Sequence, residues 1–484
     1  MNSKSEEKKK LLFFPLHPTS WGEMYPLAKY MCEISEISFL LDNEYMMSKK
    51  EVIERDGFRV IVTESGDHSS VHSKKVFSWE GGEVCLRNIL RMVRKSDFLG
   101  SLIDWYREIR EASNQSILEE YLRVRGQQIE KLRLLNRLFD KEKYDACIVA
   151  GDRHQSGCEL ALLRVCKEKG IPAIIPPISY ISDTERLLLW RLEKKFKVDN
   201  FPSLKDKYNG IVRINPSTNR SVYYYSPGIA LAFGELDLLP ENPWVMGGGN
   251  SSKLLADGEE TRDRYRRDGC DPGKIEITGH PSHDRLYETL KKRSLRKKEF
   301  IENNSLNISK KVAVVSLPQL AEHGICDWNR HWAEINFLCE SVKAEFENVV
   351  LSLHPKMDRR KYDYLESKYE VVIANERLIE YIAIADVFVS TFSSTVQWAA
   401  LCHTPALVVD FYGLGYHSYD DFGGVVTVRN REEFKRILSQ LLNDEEYYLQ
   451  LVKMQANISP QISPFDGNCR ERIKNSIINY SQDL

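Results

Sequence analysis

The chain lacks a long hydrophobic run: no stretch of its 484 residues approaches the roughly 18–20 apolar residues that span a bilayer. It also lacks any C-x-x-C pair. Its ten cysteines are scattered, several inside apolar segments (Cys147, Cys166, Cys339, Cys402), as reduced buried thiols are; neither a disulfide framework nor a zinc site is indicated. An excess of one charge is missing too. Lysine and arginine number 68 against 70 aspartates and glutamates, so nothing in the balance calls for nucleic acid. No D-x-D occurs, and no G-x-G-x-x-G follows a strand. The glycine-rich turn Pro243–Asn250 lacks the K-[ST] of a phosphate loop. Nicotinamide, flavin and a D-x-D-held metal are therefore unsupported, and no cofactor or metal is expected. The opening MNSKSEEKKK reads as a solvated tail leading into a first strand, not a signal peptide. What remains is an ordinary globular composition, long enough for two or three domains.

The stretch Glu370–Tyr412 organises the rest. It holds the apolar runs Glu370–Ala374, Asp386–Ser390 and Pro405–Asp410, separated by segments of helical periodicity. β-branched residues crowd each run, as in parallel strands buried on both faces. After the second run comes Thr391-Phe392-Ser393-Ser394-Thr395 and then the helical pattern Val396–Leu401. A strand that ends in hydroxyl residues and turns into a helix offers N–H groups and hydroxyls to an anion. The same residues also serve as N-caps. In open α/β sheets, ligands bind at the carboxyl ends of strands, which favours a nucleotide-phosphate grip by Ser393, Ser394 and Thr395.

Upstream, Lys10–Leu16 reads as a strand and Glu23–Cys32 as the next helix, with His17–Gly22 as a loop facing the cleft. Asp145–Ala150 and Ile171–Pro176 read as strands around the helix Cys158–Lys169. Gly151-Asp152-Arg153-His154 falls at the end of the first of these, where an aspartate beside a histidine makes an acid/base pair or a simple helix cap. Arg186–Val198 is apolar and basic at helical spacing, suiting either a packing helix or peripheral membrane contact. Tyr223-Tyr224-Tyr225 is either acceptor surface or strand. Lys274–Thr278 ends in Gly279-His280-Pro281, and Arg293–Lys298 reads as a flexible basic linker. A second series follows, in which Asn348–Leu353 ends in His354-Pro355 and another strand ends in Glu376-Arg377. Proline stops the strand and points His354 toward the cleft. The expected architecture is α/β, with two Rossmann-like domains facing a central cleft.

In order and spacing, these stretches resemble the superfamily of two-domain GT-B glycosyltransferases and UDP-GlcNAc 2-epimerases. The resemblance rests on LLFFPLHPTSWGEMYPLAKYM, DACIVAGDRHQSGCELALL, KIEITGHPSHDRL, VVLSLHPKM and DVFVSTFSSTVQWAALCHTPALVVDFY. It touches most of the chain outside residues 64–143 and 180–240. Two departures matter. The epimerase stretch His-x-Glu-Ala-Gly is replaced by IIPPISYISDTE, and the Ser-Gly-Gly of the phosphate helix by Ser393-Ser394-Thr395, with Gln397-Trp398 in place of its paired glutamate. The missing carboxylates argue against epimerisation. The His-Pro strand end and Ser-Ser helix start are similar to bacterial transferases that use CMP-sugars and to polymerising glycerophosphotransferases.

The resemblance implies residues 1–290 as an acceptor domain with a helical insertion, 291–465 as a nucleotide-sugar domain, and 466–484 as a helix crossing back. It implies a metal-independent glycosyltransferase with a nucleotide-sugar donor and a glycan or lipid-linked acceptor. Surface-polysaccharide synthesis at the cytoplasmic face of the membrane is the expected setting. Asp152 or His154 would act as base and His354 on the leaving group. Ser393, Ser394, Thr395, Gln397, Glu376, Arg377 and His280 would hold the donor, with Gln397 on the ribose. Ser20, Trp21 and Gly22 would meet the acceptor. A nucleotide-sugar epimerase or hydrolase, and a non-catalytic nucleotide-binding protein, are the alternatives.

Overall fold

The structure, a computed structural model, describes residues 8–63, 115–154, 157–178, 194–215, 218–354, 357–391, 393–412 and 422–481, with Leu188, Arg191, His417, Tyr419 and Asp420 between them. β1 (Lys9–Phe14) leads to α1 (Pro18–Met31), β2 (Ser35–Leu41) and β3 (Arg59–Val62). The long helix α2 (Gln115–Lys141) precedes β4 (Ala146–Val149), α3 (Glu159–Lys169) and β5 (Ala173–Ile175). A hairpin of β6 (Val212–Asn215) and β7 (Arg220–Tyr223) follows, then β8 (Lys253–Ala256) and β9 (Ile275–Ile277). These strands form a parallel sheet in the order β3-β2-β1-β4-β5-β8-β9, the hairpin standing apart.

Two helices, α4 (Pro281–Lys291) and α5 (Arg293–Asn303), carry the chain into a second series. There β10 (Val312–Ser316), α6 (Trp328–Glu345), β11 (Asn348–Ser352), β12 (Val372–Ile373) and α7 (Leu378–Ile382) come first. β13 (Val387–Ser390), α8 (Val396–Leu401), β14 (Ala406–Val409), β15 (Val425–Val428), α9 (Glu445–Ile462) and α10 (Cys469–Tyr480) complete it. The second sheet is also parallel, in the order β12-β11-β10-β13-β14-β15.

Strand periodicity explains the second core. Ala313, Val315, Val349, Leu351, Val387 and Val389 face one side, and Val312, Val314, Val350 and Phe388 the other. Side chains alternate across a strand, so a continuous apolar run fills both faces and needs helices on each. The first sheet follows the same logic, with Leu11–Phe14 of β1 wholly buried. Gly170, at φ 67, ends α3 in the left-handed conformation that glycine adopts without strain.

The last helix returns to the first domain. Asp284 of α4 fixes where it starts, its carboxylate accepting from Cys469 N at 2.7 Å and Arg470 N at 2.9 Å. Such a carboxylate satisfies two orphan donors at a helix N-terminus. Ile473 and Ile477 then join the first domain's core. Gly279, at φ 82, sits so close that a Cβ there would lie 2.3 Å from Cys469 Sγ.

Four expectations change. Arg293–Lys298 is not a flexible linker but the first half of α5, since nothing in it breaks a helix. α1 begins at Pro18 and not at Glu23, because proline suits the first turn of a helix, so the expected loop is mostly helix. Tyr223 ends β7 while Tyr224 and Tyr225 are buried, which removes them from any acceptor surface. Six of the thirteen residues of Arg186–Val198 lie outside the described residues, and Lys194–Phe196 within it forms one short 3₁₀ turn.

Candidate functional site at the domain seam

The site is built from strand carboxyl ends. In the first domain β1 delivers the start of α1, β4 delivers Gly151–His154, and β9 delivers Gly279 and His280. In the second, β11 delivers His354, β12 delivers Asn375–Arg377, and β13 delivers the turn to Thr395.

The two edges meet at Glu23. This residue is buried in α1, and its Oε1 accepts from Arg377 Nη2 of the second domain at 2.9 Å. Its Oε2 accepts from Ser282 Oγ at 2.5 Å, and His280 Nδ1 lies 3.8 Å away. His280 Nδ1 itself accepts from Ser282 N at 3.2 Å, capping α4. Asp257, at the end of β8, is buried beside them, and burial raises its pKa while His280 opposes the rise. Glu23, Asp257 and Ser282 escaped the sequence reading. Glu23 sits inside an ordinary helical pattern, and only its partners mark it.

The expected acceptor residues divide. Ser20 is wholly buried and closes a capping box: its Oγ accepts from His17 N at 3.0 Å while His17 Nδ1 accepts from Ser20 N. Its hydroxyl also accepts from Leu16 N at 2.9 Å, so it is committed to the fold and the acceptor role is corrected. Trp21 stacks on Tyr25 with ring centroids 4.1 Å apart. Gly22 faces the seam, where a Cβ would stand 4.0 Å from Arg377 Nη2.

Asp152 is also corrected. Its carboxylate is wholly buried and accepts from Gly247 N at 3.1 Å, Gly249 N at 2.9 Å and Ser251 Oγ at 2.7 Å. Three donors hold it as an acceptor, turned into the glycine-rich loop. The glycine-rich turn Pro243–Asn250 is therefore the clasp that this aspartate closes. His154 remains exposed on the same edge. Beneath it Glu159, also missed, accepts from Arg153 N and His154 N at 3.2 and 2.9 Å, and burial pushes its pKa up to about 7. Acids are common in a helix's first turn, so no local pattern singles it out.

In the second domain His354 is exposed at the end of β11. Ser393 Oγ and Thr395 Oγ1 stand 2.8 Å apart, Ser393 Oγ accepts from Thr395 N at 3.3 Å, and Tyr419 Oη donates to Ser393 O at 2.9 Å. Ser394 is half-buried, and its hydroxyl makes no hydrogen bond among the described residues. Gln397 departs from expectation. Its side chain is buried within α8, and Nε2 has no partner among the described residues. Glu376 is exposed and lines a cavity of about 440 Å³ with Arg296, Arg359 and Tyr381 beside β12. Among the described residues no cluster of histidine, cysteine or carboxylates is arranged to hold a metal ion.

No protein-family model matches the chain, and no curated protein matches it in sequence. Solved structures do match. The Staphylococcus aureus MnaA complex with UDP superposes with a TM-score of 0.52 at 12% identity, covering 98% of both chains. The Neisseria meningitidis UDP-GlcNAc 2-epimerase bound to UDP-GlcNAc gives 0.50 at 14% identity, covering 97% of this chain and 100% of its own. The fold is GT-B. At this identity the likeness carries the fold alone. In the GT-B frame, two Rossmann-like domains set strand ends against one another, and here Glu23 and Arg377 join them. No described helix is long and apolar enough to cross a membrane.

Proposed function

We propose that this GT-B protein is a metal-independent glycosyltransferase. It would move a sugar from a nucleotide-sugar donor to a glycan or lipid-linked acceptor in surface-polysaccharide synthesis at the cytoplasmic face of the membrane. The observation that carries the reading is the pairing of the domains' carboxyl edges through Glu23 and Arg377, with a hydroxyl-rich turn on the second domain's edge. Ligands of open parallel sheets collect at such edges.

In this reading the Ser393–Thr395 turn grips a donor phosphate, with the uncommitted Ser394 hydroxyl as its strongest contact. His354 faces the leaving group. His154, carried on a loop that Glu159 and Asp152 hold rigid, is the base for the acceptor hydroxyl; Asp152 acts through the loop and not on the substrate. Domain closure would exclude water and limit donor hydrolysis.

The two similar solved structures hold UDP or UDP-GlcNAc, which puts uridine nucleotides first among donors to try. The test is a thermal-shift screen of UDP, CMP, CDP and GDP and their sugars, since a ligand that binds only the native state raises the melting temperature. A selective shift names the donor class and justifies an acceptor search. Donor-only controls separate an epimerase or hydrolase, which needs no acceptor. No shift with any nucleotide overturns the phosphate grip and the function with it.

A further inference from the structure

The segment Arg293–Lys298 that reads as a linker, together with Lys291 and Lys292 before it, is a basic surface of the folded protein. It holds Lys291, Lys292, Arg293, Arg296, Lys297 and Lys298 within eight positions, spanning the end of α4 and the first turns of α5. The six cations split by direction. Arg293 and Lys297, one helical turn apart, both point inward at Asp386. The other four are exposed. Among these, Lys291 lies 3.6 Å from Glu288 and 4.4 Å over the ring of Tyr287, and Lys298 lies 3.7 Å from Glu302. Both carboxylates are themselves more than half exposed, so solvent screens these pairs. Lys292 and Arg296 have no ion pair among the described residues, and the other acid on the helix, Glu299, is exposed and pairs with none of these cations.

An apolar side chain stands among the exposed charges. Leu295 is 57% exposed, in a helix whose buried side is already supplied by Ile301. A leucine set among solvated cations does nothing for a soluble polyanion, whereas a lipid surface takes both: headgroup phosphates meet the cations and the leucine enters the acyl boundary. The remainder of the chain brings the net charge to −2, so attraction to an anionic surface is local and fixes an orientation.

We propose that the elbow between α4 and α5, through Lys291, Lys292, Arg296, Lys298 and Leu295, is a docking face for an anionic lipid bilayer. Arg296 also lines the cavity that holds Glu376 beside β12, but the vesicle experiment uses no nucleotide, so its outcome is distinguishable from failure of the donor reading.

The test is co-sedimentation of the full-length protein with phosphatidylcholine vesicles, and with vesicles of phosphatidylcholine and phosphatidylglycerol in equal parts. The expected result is binding to the anionic vesicles alone, reduced about tenfold or more in K291Q/K292Q/R296Q/K298Q and weakened by salt. L295S, a change at an exposed position, tests the same face should the fourfold variant not fold; it is expected to weaken binding at low and high salt alike. Failure of the wild type to bind anionic vesicles overturns the proposal. So does equal binding by the variants, or binding of soluble polyphosphate without binding of vesicles.

Discussion

Arg377 Nη2, at the start of a helix in the second domain, donates to Glu23 Oε1 in the first domain at 2.9 Å. The pair is lopsided: Glu23 is buried, whereas the Arg377 side chain is 45% exposed. Its strength follows from that asymmetry. Water screens the guanidinium, so the coupling is expected at about 1 kcal/mol and not at the several kcal/mol of a fully buried pair. A double-mutant cycle of Glu23→Gln and Arg377→Gln in urea measures it. A coupling indistinguishable from zero would remove the pair as a link between the domains.

Asp152 is predicted to matter for stability before chemistry. Three donors converge on its buried carboxylate, and Asp152→Asn turns one acceptor into a donor facing a donor. The expected loss is about 2–4 kcal/mol, visible as a drop in melting temperature without any substrate. Gly249→Ala attacks the same clasp from the other side, since a Cβ there would lie 2.5 Å from Asp152 O. Wild-type melting of both variants would sink this assignment and restore Asp152 as a candidate base.

Glu159 predicts a pH dependence. Burial lifts its pKa from 4.5 to about 7, so between those values the folded state binds a proton that the unfolded state has released. Stability then falls as pH rises from about 4.5 to 7, by up to about 3 kcal/mol from this group. Glu159→Gln keeps an acceptor for Arg153 N and His154 N but removes the titration. The variant is expected to gain on the wild type as pH rises from 5 to 7.5 in urea melts, flattening above. Glu260, also raised to about 7 by burial, contributes in the same window to both proteins and cancels in the difference. A pH-independent difference would show that Glu159 does not titrate there.

Ser394→Ala is expected to leave the melting temperature of the free protein unchanged, because its hydroxyl bonds nothing among the described residues. It should weaken binding of the nucleotide found in the screen by about tenfold, the scale of a lost hydrogen bond to a charged group. Ser393→Ala, by contrast, breaks the contact with Thr395 and should perturb the turn itself. Equal nucleotide affinity in Ser394→Ala and wild type would move the phosphate elsewhere on the sheet edge.

Much of the architecture was legible in the residues. Continuous β-branched runs at Val312–Ser316, Asn348–Ser352 and Val387–Ser390 specify strands covered on both faces, and such strands pair in parallel. Glycines and prolines mark where each element ends, as at Gly170. The reading went astray where a local pattern has two outcomes. His17–Gly22 suits a loop or a capped helix start, and the capping hydrogen bonds chose the helix. Arg293–Lys298 is charged enough for a linker, yet contacts at Asp386 and burial of Ile301 keep it helical.

By itself the sequence determined the period of each segment and the order of strands and helices, hence two Rossmann-like domains with strand ends at one seam. Only the tertiary structure decided what each polar side chain does there. Glu23 and Arg377 lie 354 positions apart, and Asp152 and Gly249 lie 97 apart, so no local pattern can encode their pairing. Periodicity assigns a face, but a carboxylate's role depends on which donors reach it and how much water is left. Those are set by packing, and packing turned Asp152 into a clasp, buried Gln397, and brought Glu23 to the seam.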